Sequence, residues 1–204
     1  VDFGSGDFSI EAWVKLGSLT QAGQEMIVSK DATAGTAQRQ FFLMADAAND
    51  NSHKIRFSYN TSDAAQVYAD TNATAISDTN WHHVVGVRSG NSFLIYVDGI
   101  SQAVTTGGTH GTMQATATPL RIGMRPYTAS EGYFNGTIDE VAIWNRGLSN
   151  GGVTQLYNSG IGREVTVVGA PADCSGTPVY TGTGTTHTDT GLARGTYYYR
   201  VCSY

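Results

Sequence analysis

From residue 7 to residue 16 the sequence alternates apolar and polar side chains with a period of two. The apolar members are Phe8, Ile10, Ala12, Val14 and Leu16. Because successive side chains of a β-strand point to opposite faces of its sheet, this alternation predicts a half-buried strand. Comparable segments follow at 25–30, 39–46, 53–60, 81–88, 92–98, 100–104, 120–124 and 134–145. Ser89-Gly90-Asn91 and Asp98-Gly99 predict tight turns between neighbouring strands.

This number of short strands at hairpin spacing favours an all-β fold, a two-sheet antiparallel sandwich, over a parallel α/β arrangement. In the segment 134–145 the alternation assigns one face to Ile138, Glu140, Ala142 and Trp144. A single helix is predicted at 148–157, because Ser149 can cap its start and Gly160 can end it. After residue 163 the composition shifts to Thr, Gly and Pro. We therefore predict a sandwich over 1–163 and a smaller β-rich segment over 164–204.

Composition excludes some classes of partner. Charged residues make up 14% of the 204-residue chain, and the net charge is -5 with 12 Lys and Arg residues spread along it. Phosphate binding needs clustered basic side chains, so nucleic acid is not an expected partner. The apolar runs fall short of the roughly 20 residues that span a bilayer, so no membrane span is expected in this chain. The polar, lightly charged composition is typical of secreted or cell-surface proteins.

The two cysteines, Cys174 and Cys202, both lie in the segment 164–204. A cysteine pair that flanks a hairpin-like stretch in a chain otherwise without thiols predicts one disulfide, which fits an oxidising extracellular location. Two free thiols in a reducing compartment are the alternative.

Four ordered motifs resemble the laminin-G-like domains of the concanavalin-A-like lectin and glucanase superfamily. They are DFSIEAWVK at 7–15, WHHVV at 81–85, YVDG at 96–99 and FNGTIDEVAIWNRGLS at 134–149. The resemblance covers about 1–163 and implies a jelly-roll sandwich. It also implies binding of carbohydrate, protein or cell-surface ligands, often beside a calcium ion.

The segment 165–204 is similar to the later strands of a fibronectin type III domain. The stretch LARGTY at 192–197 resembles the corner before that fold's penultimate strand, and Tyr197, Tyr199 and Val201 then alternate. The earlier strands of that fold are missing, and the start of the chain resembles a laminin-G-like domain without its first strand. Either the chain belongs to a longer protein, or neighbouring copies donate the missing strands.

Catalysis is not expected. Some members of the superfamily cleave glycosides with paired carboxylates in a Glu-x-Asp-x-x-Glu motif, which this sequence lacks. Asp139 and Glu140 are adjacent and so should point to opposite faces of a strand, while Glu11 stands alone on its strand. His82 and His83 are also adjacent, which predicts one core and one surface histidine rather than a metal site.

Calcium is the expected metal because it takes six to eight oxygen ligands, which loops at a sandwich rim can supply. Asp46 and Asp50 offer such oxygens in one loop, although a solvated turn explains them equally well. Asp139 is a second candidate ligand, with a backbone hydrogen bond as the alternative. The paired calcium site of pentraxins is not expected, because Met124-Arg125-Pro126 stands where their ligand cluster would lie.

Carbohydrate recognition commonly stacks an aromatic ring on a sugar and reads its hydroxyls with polar side chains. Trp13 lies on the polar face of its strand, where it is either such a platform or covered by a crossing segment. The other candidates are Tyr68, Arg125, Tyr127 and Tyr133, for which ordinary packing is the alternative.

Two hypotheses follow from the sequence. The first is an extracellular, non-catalytic binding or adhesion module for a glycan or a cell-surface protein, with calcium as a structural ion. The second is a structural subunit of a filament or array, assembled by strand donation between copies.

Overall fold

The computed structural model describes residues 2–20, 23–31, 39–45, 52–125 and 132–162. The chain divides into two compact units, Val1–Gly162 and Arg163–Tyr204. The fibronectin-like segment predicted at 164–204 lies outside the described residues, as do Cys174 and Cys202. That segment and its disulfide therefore stay predictions.

Two antiparallel sheets form the described unit. Its strands are β1 (Phe8–Leu16), β2 (Glu25–Lys30), β3 (Phe41–Ala45), β4 (Arg56–Asn60), β5 (Gln66–Thr71), β6 (Trp81–Ser89), β7 (Ser92–Val97), β8 (Ile100–Ser101), β9 (Val104–Gly107), β10 (Leu120–Ile122) and β11 (Gly136–Trp144). One sheet has the order β11-β1-β6-β7-β8, and the other has the order β10-β2-β3-β4-β5-β9. The predicted all-β, two-sheet antiparallel sandwich is confirmed.

The core lies between the two sheets, and Phe8 lies in an aromatic cluster within it. The Phe8 side chain is fully buried. Its ring centroid is 4.7 Å from that of Phe3, 5.8 Å from Phe41, 5.1 Å from Phe57 and 6.3 Å from Tyr59. The apolar positions of the alternation in β1 therefore face the interior, as the period of two requires.

Two strands were not predicted from the sequence. In β5, Val67, Ala69 and Thr71 are buried while Tyr68 and Asp70 are only half-buried, so the strand does alternate. Its partner β9 is short and rich in threonine and glycine, a composition that predicted a loop. β9 forms an edge and pairs only with β5, so tertiary pairing rather than local propensity makes it a strand.

A β-bulge interrupts the pairing of β1 with β11. Glu11 pairs with Ala142, whereas Trp13 pairs with Asp139, so β11 holds an extra residue between the two pairs. Within this stretch Glu140 has a φ of 47°, in the left-handed region that non-glycine residues rarely adopt.

The bulge reverses the alternation along β11, and the predicted face is therefore wrong. Ile138, Val141 and Ile143 pack against the core, because the extra residue shifts the side-chain parity by one. Ala142 and Trp144 pair with outward-facing residues of β1 instead of sharing a face with Ile138.

The predicted helix is confirmed as α1 (Asn150–Tyr157), followed by a 3₁₀ turn at Asn158–Gly160. Ser149 caps it, since its side-chain oxygen accepts a hydrogen bond from the Gly152 N–H at 3.2 Å. Val153 of α1 and the preceding Leu148 are buried against the outer face of the five-stranded sheet. The α1 segment thus covers side chains that alternate away from the main core.

The sheet edges bear on the strand-donation hypothesis. The edge strand β10 has three residues, and its Leu120 and Ile122 side chains are exposed. Exposed apolar edges are templates for strand addition, but short edge strands limit it. Assembly by strand donation stays a prediction, which sedimentation velocity on the purified chain would decide.

Candidate functional site

A shallow cleft of about 190 Å³ opens on the outer face of the five-stranded sheet, beside the segment that follows α1. Its lining consists of Trp13, Trp81, Asp139, Glu140 and Gly160–Gly162. We call it the tryptophan cleft. Strand register explains how the lining comes together, because Trp13 pairs with Asp139 on one side and with His83 on the other. Two residues along β1, Lys15 pairs with Trp81, which extends the same face.

Trp13 and Trp81 differ in accessibility. The Trp13 indole is only 9% exposed, because Tyr157 stacks on it at a centroid distance of 5.9 Å. The Trp81 side chain is 41% exposed. Trp81 therefore supplies the accessible aromatic surface of the cleft, and Trp13 is largely a covered side chain whose edge reaches the lining.

The Tyr157 side chain of α1 packs closely against the sheet at Gly99. Gly99 has a φ of 75° in the turn between β7 and β8, and a Cβ there would lie 2.9 Å from the Tyr157 ring. Gly162 makes a similar close approach, because a Cβ at this position would lie 3.2 Å from Glu140 Oε2 and 3.4 Å from Trp13 Nε1. Glycine thus lets the segment after α1 lie directly on the cleft.

Asp139 and Glu140 line the same cleft, so the expectation that they occupy opposite faces of a strand is wrong. The left-handed backbone of Glu140 turns the chain out of the regular alternation at the bulge. The Asp139 carboxylate accepts a hydrogen bond from the Glu140 N–H at 2.8 Å. Two neighbouring carboxylates and an exposed indole are thereby brought to one surface.

A buried titratable pair lies behind the cleft, under α1. Glu11 Oε2 is 4.0 Å from His83 Nε2, and both side chains are buried. Burial raises the pKa of Glu11 to about 7; an interaction with the Trp144 indole N–H lowers it in part, and the charge of Glu140 raises it. Burial also lowers the pKa of His83 to about 4, with Asp98 opposing this shift. Both groups are therefore neutral between these two pKa values.

His82 occupies a different environment from His83. Its Nδ1 lies 2.8 Å from Asp98 Oδ2, and its Nε2 lies 3.1 Å from Asp78 Oδ1. The hydrogen bond to Asp98 is the main reason that the pKa of His82 is raised. Asp98 also accepts the backbone N–H of His83 at 2.9 Å. His82 thus ties the start of β6 to the turn between β7 and β8.

Tyr68 lies on the outer face of the other sheet, away from the tryptophan cleft. The Arg56 guanidinium is centred 4.7 Å from the Tyr68 ring and makes two 2.6 Å hydrogen bonds to the Asp70 carboxylate. The half-buried Tyr68 ring thus lies beside an Arg56–Asp70 ion pair that is joined by two hydrogen bonds. Tyr68 therefore remains a candidate for a contact separate from the cleft.

Arg125 is buried on the same sheet and lies 2.6 Å, through its Nε, from Asp31 Oδ2. Its guanidinium also lies over the Phe42 ring at 5.7 Å. A buried guanidinium engaged in this way is not presented to a sugar, so we do not retain Arg125 as a ligand-binding residue. Tyr133 is exposed but is not part of the cleft lining, and Tyr127 lies outside the described residues.

Among the described residues, no three or more His, Cys, Asp or Glu side chains come together in one group. One Asp139 oxygen already accepts the Glu140 N–H. Asp46 and Asp50 lie outside the described residues, so the calcium site expected from Asp46, Asp50 and Asp139 stays a prediction.

The described unit is a two-sheet antiparallel β-sandwich, and the sequence matches a family of this class. Residues 1–154 match the Laminin_G_3 family, described as the concanavalin A-like lectin/glucanases superfamily. The chain therefore belongs to this family, and the resemblance drawn from its motifs is confirmed. No curated protein shows significant sequence similarity to the chain.

Solved structures share the fold at low sequence identity. The CBM40 domain of the Ruminococcus gnavus IT-sialidase, solved with α2,3-sialyllactose, has a TM-score of 0.59 at 16% identity over 76% of this chain and 84% of its own. Domain 4 of the Geobacillus stearothermophilus extracellular arabinanase AbnA, in complex with arabinotriose, has a TM-score of 0.50 at 17% identity over 74% and 66%. Domains LG4-5 of the mouse laminin α1 chain have a TM-score of 0.50 at 17% identity over 73% and 41%.

The last two matches extend over less than two thirds of those chains, and at these identities the likeness establishes the fold alone.

Within the described residues, the helix is too short to cross a membrane.

Proposed function

We propose that residues 1–162 form a non-catalytic carbohydrate-binding module of a secreted or cell-surface protein. In this proposal a sugar ring stacks on the Trp81 indole, and its polar groups contact Asp139 and Glu140. The observation that carries the proposal is the exposed Trp81 indole in one cleft with two carboxylates. Several structural neighbours are carbohydrate-binding domains, two of them solved with oligosaccharides, which supports a glycan ligand.

The chemistry of the cleft suits a sugar. The C–H face of a pyranose is apolar and packs on an aromatic ring, while its hydroxyls need acceptors such as carboxylates. Trp81 and the Asp139–Glu140 pair supply these two kinds of contact within one shallow cleft. A shallow, open cleft accommodates part of a longer glycan chain and does not require a free sugar end.

Trp81→Ala is expected to weaken glycan binding at least tenfold while lowering the free energy of unfolding by no more than about 1–2 kcal/mol. A tenfold loss corresponds to about 1.4 kcal/mol, which is within the range of one aromatic stacking contact. The variant should still fold, because Trp81 lies at the start of β6 and is 41% exposed. A glycan array with the wild-type protein identifies a ligand, and isothermal titration calorimetry then gives both affinities.

Tyr68→Ala is the matched control, since it removes a partly exposed aromatic ring from the other sheet. Affinity lost in the Tyr68 variant and kept in the Trp81 variant would move the site to the six-stranded sheet. The same glycan should be recovered intact after prolonged incubation with the wild-type protein. Release of free sugar by the wild-type protein would contradict the non-catalytic assignment.

The proposal includes calcium as a structural ion held by the loop 46–51. An ion that binds only the folded state stabilises it, so the melting temperature should be higher in millimolar calcium than in chelator. Differential scanning calorimetry of the wild-type protein and of the Asp46→Asn and Asp50→Asn variants measures this difference, which the variants should reduce. An identical melt of the wild-type protein in calcium and in chelator would remove the ion from the proposal.

A further inference from the structure

His82, the residue that follows Trp81, lies between two aspartates from separate parts of the chain. Asp98 belongs to the turn between β7 and β8 and contacts the imidazole Nδ1 at 2.8 Å, whereas Asp78 precedes β6 and contacts Nε2 at 3.1 Å. Among the described residues, these two aspartates are the charged groups that act on the imidazole. Both ring nitrogens of His82 are thus directed at carboxylates.

The protonated imidazole can serve both carboxylates at once, and the neutral imidazole cannot. A neutral ring has one N–H donor and one acceptor nitrogen, while an ionised carboxylate only accepts. Loss of the proton from His82 therefore turns a lone pair toward one of the two aspartates. Asp98 makes the shorter contact with His82 and also accepts the His83 N–H at 2.9 Å, so it keeps the remaining N–H. The contact with Asp78 is then the one that is lost.

Asp78 connects the two residues that flank Trp81. Its Oδ1 accepts a hydrogen bond from the Asn80 N–H at 2.6 Å and also contacts His82 Nε2. We call these two hydrogen bonds the Asp78 clasp. Trp81 is the first residue of β6, and the register of β6 with β7 starts only at Val84. The clasp therefore holds the chain where pairing with β7 does not reach.

An ordered Trp81 is an advantage for binding. The Trp81 side chain is 41% exposed, so packing in the free protein restrains it less than it restrains a core residue. A binding surface that is ordered beforehand loses less conformational entropy when the ligand binds. Closing the clasp should therefore raise the affinity of the tryptophan cleft without adding any contact to the sugar.

Other titratable groups near the cleft lie on the opposite side of β6 from the His82 side chain. Neighbouring residues of a strand point to opposite faces, so Trp81 and His83 share the outer face of the sheet. Lys15 pairs with Trp81 on this face, and Glu11 lies 4.0 Å from His83. Because the pKa of Glu11 is about 7, a test of His82 needs a control for titration of Glu11.

We propose that His82 is a positioning residue of the tryptophan cleft, which in its protonated form closes the Asp78 clasp and orders Trp81 for stacking on a sugar. The pKa of His82 is raised above its ordinary value of 6.5, chiefly by the hydrogen bond to Asp98. The clasp is therefore closed below pH 6.5 and opens as the pH rises through the raised value. This inference rests on the proposed function, since it describes the regulation of the same site.

The first test measures the order of Trp81 without any ligand. In protein labelled with 5-fluorotryptophan, Trp81→Phe identifies the fluorine signal of Trp81 among those of the three tryptophans. Transverse relaxation of this signal should slow between pH 6 and pH 9, because a released side chain moves faster than the protein tumbles. Asp78→Ala and His82→Gln lack the closed clasp and should relax slowly at both pH values.

Two control variants accompany this measurement. Asp63→Ala removes another aspartate, which is exposed and accepts a hydrogen bond from the Thr61 hydroxyl, and should behave as the wild type does. Glu11→Gln removes the other group that titrates in this range and should keep the pH-dependent relaxation of Trp81. Wild-type relaxation that is equal at pH 6 and pH 9 would overturn the positioning role. A pH dependence that persists in Asp78→Ala, or disappears in Glu11→Gln, would overturn it as well.

The second test separates this inference from the proposed function. An array of immobilised oligosaccharides is probed at pH 6 and pH 9 with the wild type, Asp78→Ala and Trp81→Ala. The wild type should bind severalfold more weakly at pH 9, and Asp78→Ala should bind at pH 6 as weakly as the wild type does at pH 9.

The outcomes of the array differ for the two proposals. Binding that requires Trp81 but is equal at both pH values would overturn the role of His82 and leave the carbohydrate site supported. Binding that is unaffected by Trp81→Ala would overturn the site, and the effect of His82 on its affinity with it. Loss of order at Trp81 with no oligosaccharide bound at either pH would contradict the proposed function while supporting the clasp.

Discussion

Replacing Phe8 with alanine is expected to lower the free energy of unfolding by about 3–5 kcal/mol, the usual range for removing a buried phenylalanine. Phe8 is fully buried and contacts rings from the chain start and from β3 and β4. Its removal would therefore leave a cavity between the two sheets. Neighbouring strands could not move in to fill this cavity without breaking their hydrogen-bonded pairing. Urea unfolding followed by tryptophan fluorescence measures the change.

Tyr133→Ala is the control, because it removes an exposed aromatic ring from the same unit and should change stability by less than about 0.5 kcal/mol. Phe8→Leu should fall between the two, since leucine refills part of the volume. A loss below about 1 kcal/mol for Phe8→Ala would mean that this ring is not a central part of the core.

The two sheets were predictable because one face of each main strand is apolar and the period of two is a direct consequence of strand geometry. β1 shows this most clearly, with its five apolar positions all facing the interior. The helix was predictable for a similarly local reason, because the Ser149 cap lies in the sequence itself.

The faces on which the β11 side chains lie after the bulge could not be predicted, because a bulge depends on pairing with another strand. Nothing in the local sequence marks Glu140 as the extra residue, and glutamate is an uncommon residue in a left-handed conformation. The strand β9 was missed for a related reason, since its pairing with β5 compensates for a composition that is poor in strand-forming residues.

The site was predicted in part. Trp13 and Asp139 were selected for different roles, a sugar contact and a metal ligand, and strand register brings them together in one cleft. Trp81 and Glu140 were not selected. Tyr157 stacks on Trp13 and leaves it 9% exposed, whereas Trp81 is 41% exposed, and this difference comes from tertiary packing rather than from local sequence.

The alternation of apolar and polar residues does not reveal burial where a second layer covers the sheet. The sequence predicted a half-buried β1, with Trp13 either exposed as a sugar platform or covered by a crossing segment. Ser9, Glu11 and Trp13 are all buried, because α1 and its flanking residues lie over this face. Sequence alone does not reveal that a sheet is covered on both faces. The consequence is a carboxyl group, that of Glu11, held out of water next to His83.

Glu11→Gln is expected to raise the free energy of unfolding by up to about 3 kcal/mol at pH 8 and to have little effect at pH 4. The pKa of Glu11 is about 7 in the folded protein and near its ordinary value of 4.5 in the unfolded chain. Below pH 4.5 both states hold the proton, so there is no penalty. As the pH rises from 4.5 to 7, only the unfolded chain releases it, and the wild-type protein loses stability.

Glutamine keeps the shape of the side chain but does not titrate, so this loss should be absent from the variant. Urea unfolding of both proteins at pH 4, 6 and 8 measures the difference in their free energies of unfolding.

His83 provides an internal check, because its lowered pKa makes both proteins lose stability as the pH falls from 6.5 toward 4. Glu140→Gln removes an exposed carboxylate from the adjacent strand and should keep most of the pH dependence of the wild type. Parallel stability curves for wild type and Glu11→Gln from pH 4 to pH 8 would show that the buried carboxyl titrates normally and that water reaches it beneath α1.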